Sequence, residues 1–395
     1  MSESSTPLHR PLRILLVGNF APDNQQSMLR FGQMLAAGLT ARGHVVETLS
    51  PSPRFARLAR PYRYSGWPKL LGYVDKFLLF PSTLRRCVRA SRPDIVHLID
   101  HGNAAYLRGL APVPSLATCH DLLQIQLALG ELDGPRPGAT GRVFQKWILR
   151  HLRRLPFAVC VSSRTRDDLL RLAGLAPDRA AVVLNGLNHP FRRIPAAEAR
   201  ARLASLLARN RLPAAALDSF LFNLGGTQWY KNRPGLLAIY AELRRRLPSP
   251  PILLLAGKAL PPETAALLAS LGLENSVHPL GSVTPDELEA LYSLADGLLY
   301  PSLAEGFGWP VAEAHACGCP VFTSDRTPLT EVGGDAAVYF DPTDPVSAAQ
   351  RIADAWPRRE TLRAAGLSRA QLWAPDRMFA GYEAIYRQLV ARRRD

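Results

Sequence analysis

Short apolar runs that end at glycine or at a polar turn alternate along the chain with segments whose apolar residues recur every three or four positions. Residues 13–17 form such a run, stopped by Gly18, and read as a buried first strand. A polar loop follows, then a helical pattern with Met28, Phe31, Leu35 and Leu39 on one face. That pattern halts at Arg42-Gly43-His44, basic residues and a glycine being a common helix end. Residues 45–49 read as the next strand, and strand, helix, strand in one span implies a parallel sheet. Further strands are predicted at 94–99, 115–119, 157–162 and 180–184. After a polar, Arg-rich stretch the rhythm restarts, with strands predicted at 220–225, 252–256, 276–280, 297–300 and 320–323. Helices are predicted at 234–247, at 285–294 behind Thr284, and at 310–316, with helical spacing again at 378–390. The expected fold class is therefore α/β, with two doubly wound domains in tandem. Such sheets bind ligands at the carboxyl ends of their strands, so a cleft between the halves is the expected site.

Length agrees, since 395 residues exceed one ordinary core and suit two. With 47% hydrophobic and 21% charged residues, the chain has enough apolar surface to offset its conformational entropy. The formal net charge of +15 points to an anionic partner: nucleic acid, a membrane surface or a phosphorylated small molecule. Composition does not choose among them. The first residues are polar and Pro-interrupted, and no segment approaches the roughly 20 apolar residues of a spanning helix. The expected location is cytoplasmic. The five cysteines are scattered, without a Cys-x-x-Cys pair, so neither a disulfide framework nor a zinc site is expected.

Two familiar phosphate-binding patterns are missing. No Gly-x-Gly-x-x-Gly follows the first strand, and no Walker-type loop occurs. The informative stretch is Pro301-Ser-Leu-Ala-Glu305-Gly306-Phe307-Gly308-Trp-Pro310-Val-Ala-Glu313. Pro310 suits a helix start, and the glycines before it let backbone N–H groups approach an anion at that helix end. Glu305 and Glu313 flank the anion site. Phosphates in the middle with hydroxyls at both ends would fit, as in a nucleotide sugar. Alone, two glutamates eight apart are more often solvated side chains; the neighbouring glycines and proline reverse that balance.

This stretch resembles the Glu-x7-Glu signature of retaining GT-B glycosyltransferases, closest to family four. The resemblance extends over most of the chain: residues 13–46, Pro93–His97, Thr118-Cys119-His120-Asp121, Val161-Ser162-Ser163, Val183–Gly186, Gly281 through Asp296, and Thr330–Asp335. It implies a GT-B fold, with an acceptor-side Rossmann-like domain at 1–190 and a nucleotide-sugar domain at 191–375. A C-terminal helix at 376–395 would pack back on the first domain. Glu305 would hold hydroxyls of the transferred sugar and Glu313 the ribose, while N–H groups of Gly306, Phe307 and Gly308 would meet the sugar and its distal phosphate. Lys231 would bind the diphosphate and neutralise charge on the leaving group. His120 would face the donor sugar, and Gly18 would line the floor beneath the phosphates. Relatives often carry an arginine five residues before that lysine, where Gly226 stands here; either Arg233 or another basic group substitutes, or stabilisation of the leaving group is weaker. Asp121 reads as a turn cap, and His97 and His101 stay open between structure and function.

The resemblance further implies retention of configuration by same-face attack, with no metal and no cofactor beyond the nucleotide-sugar co-substrate. No Asp-x-Asp pair is present. Between 53 and 92 lie ten basic residues, Arg54 to Arg92, interleaved with Trp67, Tyr73, Phe77 and Phe80; a second basic cluster spans Arg142 to Arg154 beside Trp147. Exposed aromatics among cations suit an anionic membrane surface, whereas a solubilising surface over core aromatics is the plainer alternative. The acceptor expected on that basis is a lipid-linked or cell-envelope glycan. Two rival functions are a non-catalytic nucleotide-sugar-binding protein and a nucleic-acid-binding protein; the latter lacks a recognition motif.

Overall fold

A computed structural model describes residues 10–59, 66–110 and 112–392. Arg60 and Arg63 of the first basic cluster lie outside the described residues. Twelve strands appear among those described, and every pairing is parallel. The first sheet is built from β1 (Arg13–Val17), β2 (Val45–Leu49), β3 (Ile95–Leu98), β4 (Ser115–Cys119), β5 (Ala158–Cys160) and β6 (Ala180–Val182), in the order β2-β1-β3-β4-β5-β6. The second comprises β7 (Phe220–Gly225), β8 (Ile252–Gly257), β9 (Val277–Gly281), β10 (Gly297–Tyr300), β11 (Val321–Ser324) and β12 (Ala337–Phe340), ordered β12-β11-β10-β7-β8-β9.

Both sheets are covered on both faces. Along β1, Leu15 and Val17 enter one core while Ile14 and Leu16 enter another. Along β7, Phe220 and Phe222 face one core and Leu221 the other. Successive side chains point to opposite faces, so a strand buried on both must be apolar throughout. That is why these strands stand out in the sequence. The edge strand β12 was not expected; only Phe340 of its four residues is fully buried, so its apolar signal is weak.

The helix Pro375–Ala391 lies on the first sheet, where Met378, Phe379, Tyr382, Ile385 and Tyr386 join the core of Ile14 and Leu16. A polar network sits inside this contact. His97 on β3 pairs Nδ1 with the Tyr386 hydroxyl at 2.6 Å and Nε2 with Thr118 Oγ1 at 2.8 Å, and Thr118 also meets the Tyr382 hydroxyl at 2.9 Å. Burial pushes the His97 imidazole down to about 3, so it stays neutral and ties the helix to the sheet. Tyr386→Phe leaves one ring nitrogen partnerless and is expected to cost about 1–3 kcal/mol. A denaturant titration reads this as a lower midpoint at constant slope; an unmoved midpoint would contradict it.

Candidate functional site

In the second sheet the winding direction reverses between β7 and β10, which are neighbours. Loops leaving the carboxyl ends of two such strands emerge side by side. One carries Gly226 and Lys231, the other Ser302 to Gly308. Asn232 fastens them together. Its backbone is left-handed at φ 51°, a conformation asparagine tolerates, and its Oδ1 accepts from Gly235 N at 3.2 Å to cap the helix Arg233–Arg244. Its Nδ2 donates to the Pro301 carbonyl at 3.1 Å, while Leu303 N donates to the Tyr230 carbonyl at 2.8 Å.

This arrangement brings Lys231 Nζ within 2.6 Å of Glu305 Oε1 and 2.5 Å of the Tyr300 hydroxyl. Tyr300 and Ser302 hydroxyls donate to the same carboxylate oxygen at 2.6 and 2.7 Å. One oxygen of Glu305 thus takes three donors. The Lys231 and Glu305 side chains are only 17% and 10% exposed. Tyr300 and Ser302 had no signal in the sequence beyond adjacency to Glu305.

The helix Trp309–Ala316 begins one residue before Pro310, behind Gly308 at φ +102°, a value that glycine adopts at little cost. Phe307 sends its ring into the core against Trp373, with centroids 5.7 Å apart, so only its backbone is available to a ligand. Glu313 is buried, accepts from the Tyr292 hydroxyl at 3.1 Å, and burial raises its carboxyl to about 7 against the pull of that hydroxyl, Arg30 and Lys231.

The first sheet contributes the facing wall. Its winding reverses between β1 and β3, and there Asn19 Nδ2 donates to Asp100 Oδ2 at 2.6 Å, while Asn103 donates to Asn19 Oδ1 at 2.8 Å. Gly18, just before, donates its N–H to the Leu49 carbonyl at 2.9 Å, and a side chain there would strike Ser50. His101 lies beside this network, with Nδ1 3.4 Å from Asp100 Oδ1. His120 is buried after β4; its Nε2 meets the Ile99 carbonyl at 2.8 Å. A carbonyl only accepts, so Nε2 bears the proton and Nδ1 is an acceptor. Burial lowers the pKa of this ring. Asp121 caps the turn through Leu123 N at 3.1 Å.

The two halves touch here. The Gly306 carbonyl accepts from Ser162 Oγ at 2.8 Å, and Ser163 Oγ donates to Glu331 at 2.7 Å. Beside Glu305 and Asp121 a cavity of about 370 Å³ opens between them. A wider concavity of about 710 Å³, lined by Arg85, Arg89 and Arg92, lies at the amino ends of β3 and β4 and holds none of these residues.

Arg233 does not project freely into the site, which makes it a poor substitute for the arginine absent at Gly226. It is buried, with one terminal nitrogen donating to the Gly225 and Ala256 carbonyls at 2.9 and 3.2 Å and the other unpartnered. Burial lowers its pKa to about 10. Of the interleaved aromatics, Phe80 is interior and Tyr73 and Phe77 are half-buried against neighbouring rings. Tyr73 stacks on Phe144 at 5.0 Å, and Phe77 meets Trp147 at 5.0 Å. Trp67 alone of the four in the first cluster is largely exposed, at 62%.

Two doubly wound parallel domains meeting at the carboxyl ends of their strands, with a Glu-x7-Glu loop and helix facing the opposite half, define the GT-B class. Residues 30–190 match the family described as Glycosyltransferase Family 4, and residues 208–366 that described as Glycosyl transferases group 1. The chain belongs to this family-four type of glycosyltransferase. It is 30% identical over 268 residues to the serotype-specific mannosyltransferase WbdA of Escherichia coli, a match covering 64% of this chain and 31% of that protein. It is also 32% identical over 241 residues to O-antigen chain mannosyltransferase B of Escherichia coli, covering 58% of this chain and 60% of that one. The match to WbdA therefore spans about a third of that protein's length. Among solved structures, sucrose-phosphate synthase from Thermosynechococcus elongatus superposes with a TM-score of 0.74 at 21% identity, over 96% of this chain and 99% of that one.

Proposed function

We propose that this protein is a retaining glycosyltransferase that moves a hexosyl group from a UDP- or GDP-linked sugar to a hydroxyl of a lipid-linked or cell-envelope glycan. The observation that carries this reading is the Lys231–Glu305 contact of 2.6 Å, assembled from two loops at the strand reversal and set against the His120 turn of the other half. The donor diphosphate would lie against Lys231 and the N–H groups at the start of the helix Trp309–Ala316. Glu305 would accept sugar hydroxyls through its second oxygen, Glu313 would bind the ribose, and neutral His120 would offer Nδ1 to a sugar hydroxyl. A carboxylate already holding an ammonium and two hydroxyls is a weak nucleophile. That supports same-face attack, with a departing phosphate oxygen taking the acceptor proton, over a covalent sugar adduct on Glu305. No metal or further cofactor is invoked. The names of the two Escherichia coli relatives support a mannosyl donor and an envelope glycan.

Thermal unfolding with UDP, GDP and their sugars tests the reading. One nucleoside diphosphate should raise the midpoint by several degrees and its sugar should be consumed. Stabilisation without turnover would instead favour a non-catalytic binding protein, and indifference to all nucleotides would remove both.

Glu313 adds a pH dependence. A carboxyl raised to about 7 holds its proton in the folded state after the unfolded chain has released it. Stability of the unliganded protein therefore falls as pH rises from about 4.5 to 7. Glu313→Gln removes this penalty, so its unfolding free energy should exceed wild type by more at pH 8 than at pH 5, the difference approaching about 3 kcal/mol. Nucleotide affinity, favoured by the ionised carboxylate, should rise with pH up to about 7 in wild type and stay flat in the variant. Calorimetry at four pH values checks both signs.

We place the protein at an anionic membrane surface. Leu58, Trp67, Leu70 and Leu78 are each more than 60% exposed and share the acceptor-side half with exposed Arg54 and Arg57, a combination suited to an interfacial contact. No helix among the described residues is long and apolar enough to cross a membrane. Flotation should show binding to vesicles rich in phosphatidylglycerol, weakened by Trp67→Ser with Leu70→Ser; equal recovery with neutral vesicles would exclude it.

A further inference from the structure

Three guanidiniums gather on the side of the first sheet that faces away from the cleft. Arg85 and Arg89 lie about one turn apart on the helix Phe80–Ser91, and Arg92 follows in its left-handed cap at φ 44°. Residues four and seven positions on share a face with the first, so the three run beside the stripe of Phe80, Leu84 and Val88 that enters the core. All three line the concavity of about 710 Å³. Pro93 and Pro114, just before β3 and β4, line it as well. His101 and His120 follow the opposite ends of those strands, so the concavity is about 15 Å, a strand's length, from the cleft.

The charges there lack a counterweight. Like charges four apart on a helix repel, and no hydrogen bond or ion pair among the described residues engages the three guanidiniums. The carboxylate in the lining, Asp94, is already committed: one oxygen accepts from Arg10 Nη2 at 2.6 Å and the other from Arg13 N at 2.8 Å. Attraction to the negative end of the helix accounts for Arg89 and Arg92, but Arg85 stands before the last turn. It leans over the loop at Gly109, where a side-chain carbon would sit 3.7 Å from its Nη1. The rest of the lining is mostly apolar, with Val88 and Leu110 buried and Val113 and Val390 half-buried. Cations over an apolar floor suit an anion joined to a hydrocarbon body, and guanidinium forks match phosphate oxygens two at a time. The volume falls within the range of about 300–1,000 Å³ usual for small-ligand sites.

We infer that this concavity binds a phosphate carried on an apolar body, with the phosphate against Arg85, Arg89 and Arg92 and the hydrocarbon on Leu110, Val113 and Val390. It is a second anion site, separate from any diphosphate held at Lys231, and it employs part of the +15 charge that the cleft does not use. It is also separate from the exposed Leu58, Trp67, Leu70 and Leu78, which precede the helix Phe80–Ser91 and so lie towards its other end.

The test titrates octyl phosphate, below its micelle concentration, into the full chain by calorimetry, with inorganic phosphate and octanol as references. Octyl phosphate should saturate one site at least about 100-fold more tightly than inorganic phosphate, since each methylene taken from water contributes about fourfold. Octanol should not bind measurably. Arg85→Gln with Arg89→Gln should weaken octyl phosphate about tenfold or more, while the unfolding midpoint and any sugar transfer measured without it stay as in wild type. Val390→Asp, which puts a carboxylate on the apolar floor, should weaken it as well. Lys231→Met and saturating UDP or GDP should leave the affinity unchanged, the two sites being far apart. Displacement by nucleotide, loss of binding in Lys231→Met, equal affinity in the double arginine variant, or no saturable binding each overturns the inference. Vesicles distinguish the sources of the phosphate. If those containing phosphatidic acid displace octyl phosphate and those of phosphatidylcholine do not, the ligand is a membrane lipid; if neither does, it is a soluble phosphorylated amphiphile.

Discussion

Lys231→Met is expected to reduce sugar transfer about 100- to 1,000-fold in kcat, the usual scale for removing a preorganised charge from a developing anion. The ammonium is 2.6 Å from Glu305 and 2.5 Å from the Tyr300 hydroxyl, so its position is set before any donor arrives. Charge gathers on the leaving diphosphate as the glycosidic bond breaks, and a cation fixed at that place lowers the barrier more than it strengthens ground-state binding. KM for the donor should therefore change by less than kcat. Stability separates this role from a structural one. The methionine leaves the Glu305 carboxylate, 10% exposed, with hydroxyl donors alone, and losing one partner of a nearly buried pair destabilises. Adding Glu305→Gln should restore most of that stability, because the orphaned charge is gone, while transfer stays at the level of the worse single variant. If the double variant recovers activity as well as stability, Lys231 serves only to hold Glu305 in place. If Lys231→Met transfers at wild-type rate, the site assignment fails.

The parts of this site that could be read from the sequence are those whose cause is local. Strands buried on both faces must be apolar at every position, so β1, β7 and β10 could be placed to within a residue or two, while the half-buried edge strand β12 could not. Glu305, Gly308 and Pro310 share one turn and signal together because a loop that opens a helix needs those residue types there. Lys231 had to be carried over from the resemblance, since nothing local ties it to a glutamate 74 positions away; the Asn232 bridge to Pro301 does that in three dimensions. Tyr300 is ordinary in sequence and acquires meaning only from the carboxylate beside it. The basic stretch is read less directly. From Phe80 to Ser91 the arginines alternate with apolar residues because the segment is helical, with one face in water and the other in the core, as at Leu84 and Val88 beside Arg85 and Arg89. Interleaving in sequence is what an amphipathic helix produces, so it implied less exposed aromatic surface than it suggested.

Gly306→Ala is expected to lower transfer at least about 100-fold, comparable with the known cost of a 1 Å misplacement at a reacting centre. A methyl group on this residue would run into the backbone carbonyl oxygen of His120 and lie 3.1 Å from Asp121 Cβ. Backbone atoms cannot rotate aside. Either the loop holding Glu305 retreats from Lys231, or the two halves part and His120 leaves the cleft. The hydrogen bond from Ser162 to the Gly306 carbonyl, 2.8 Å long, would break in both cases. Diphosphate binding should survive within a few-fold, since Lys231 and Glu313 belong to one half and need no contact with the other. This split, transfer lost and nucleotide retained, distinguishes misalignment across the cleft from unfolding of the second domain. Ser162→Ala removes the hydrogen bond without adding bulk and should cost less than about tenfold, because a single neutral hydrogen bond contributes about 0.5–1.5 kcal/mol. Full transfer by Gly306→Ala would mean that the close approach of His120 and Gly306 is not the arrangement in which sugar moves, and that turnover uses a more open cleft.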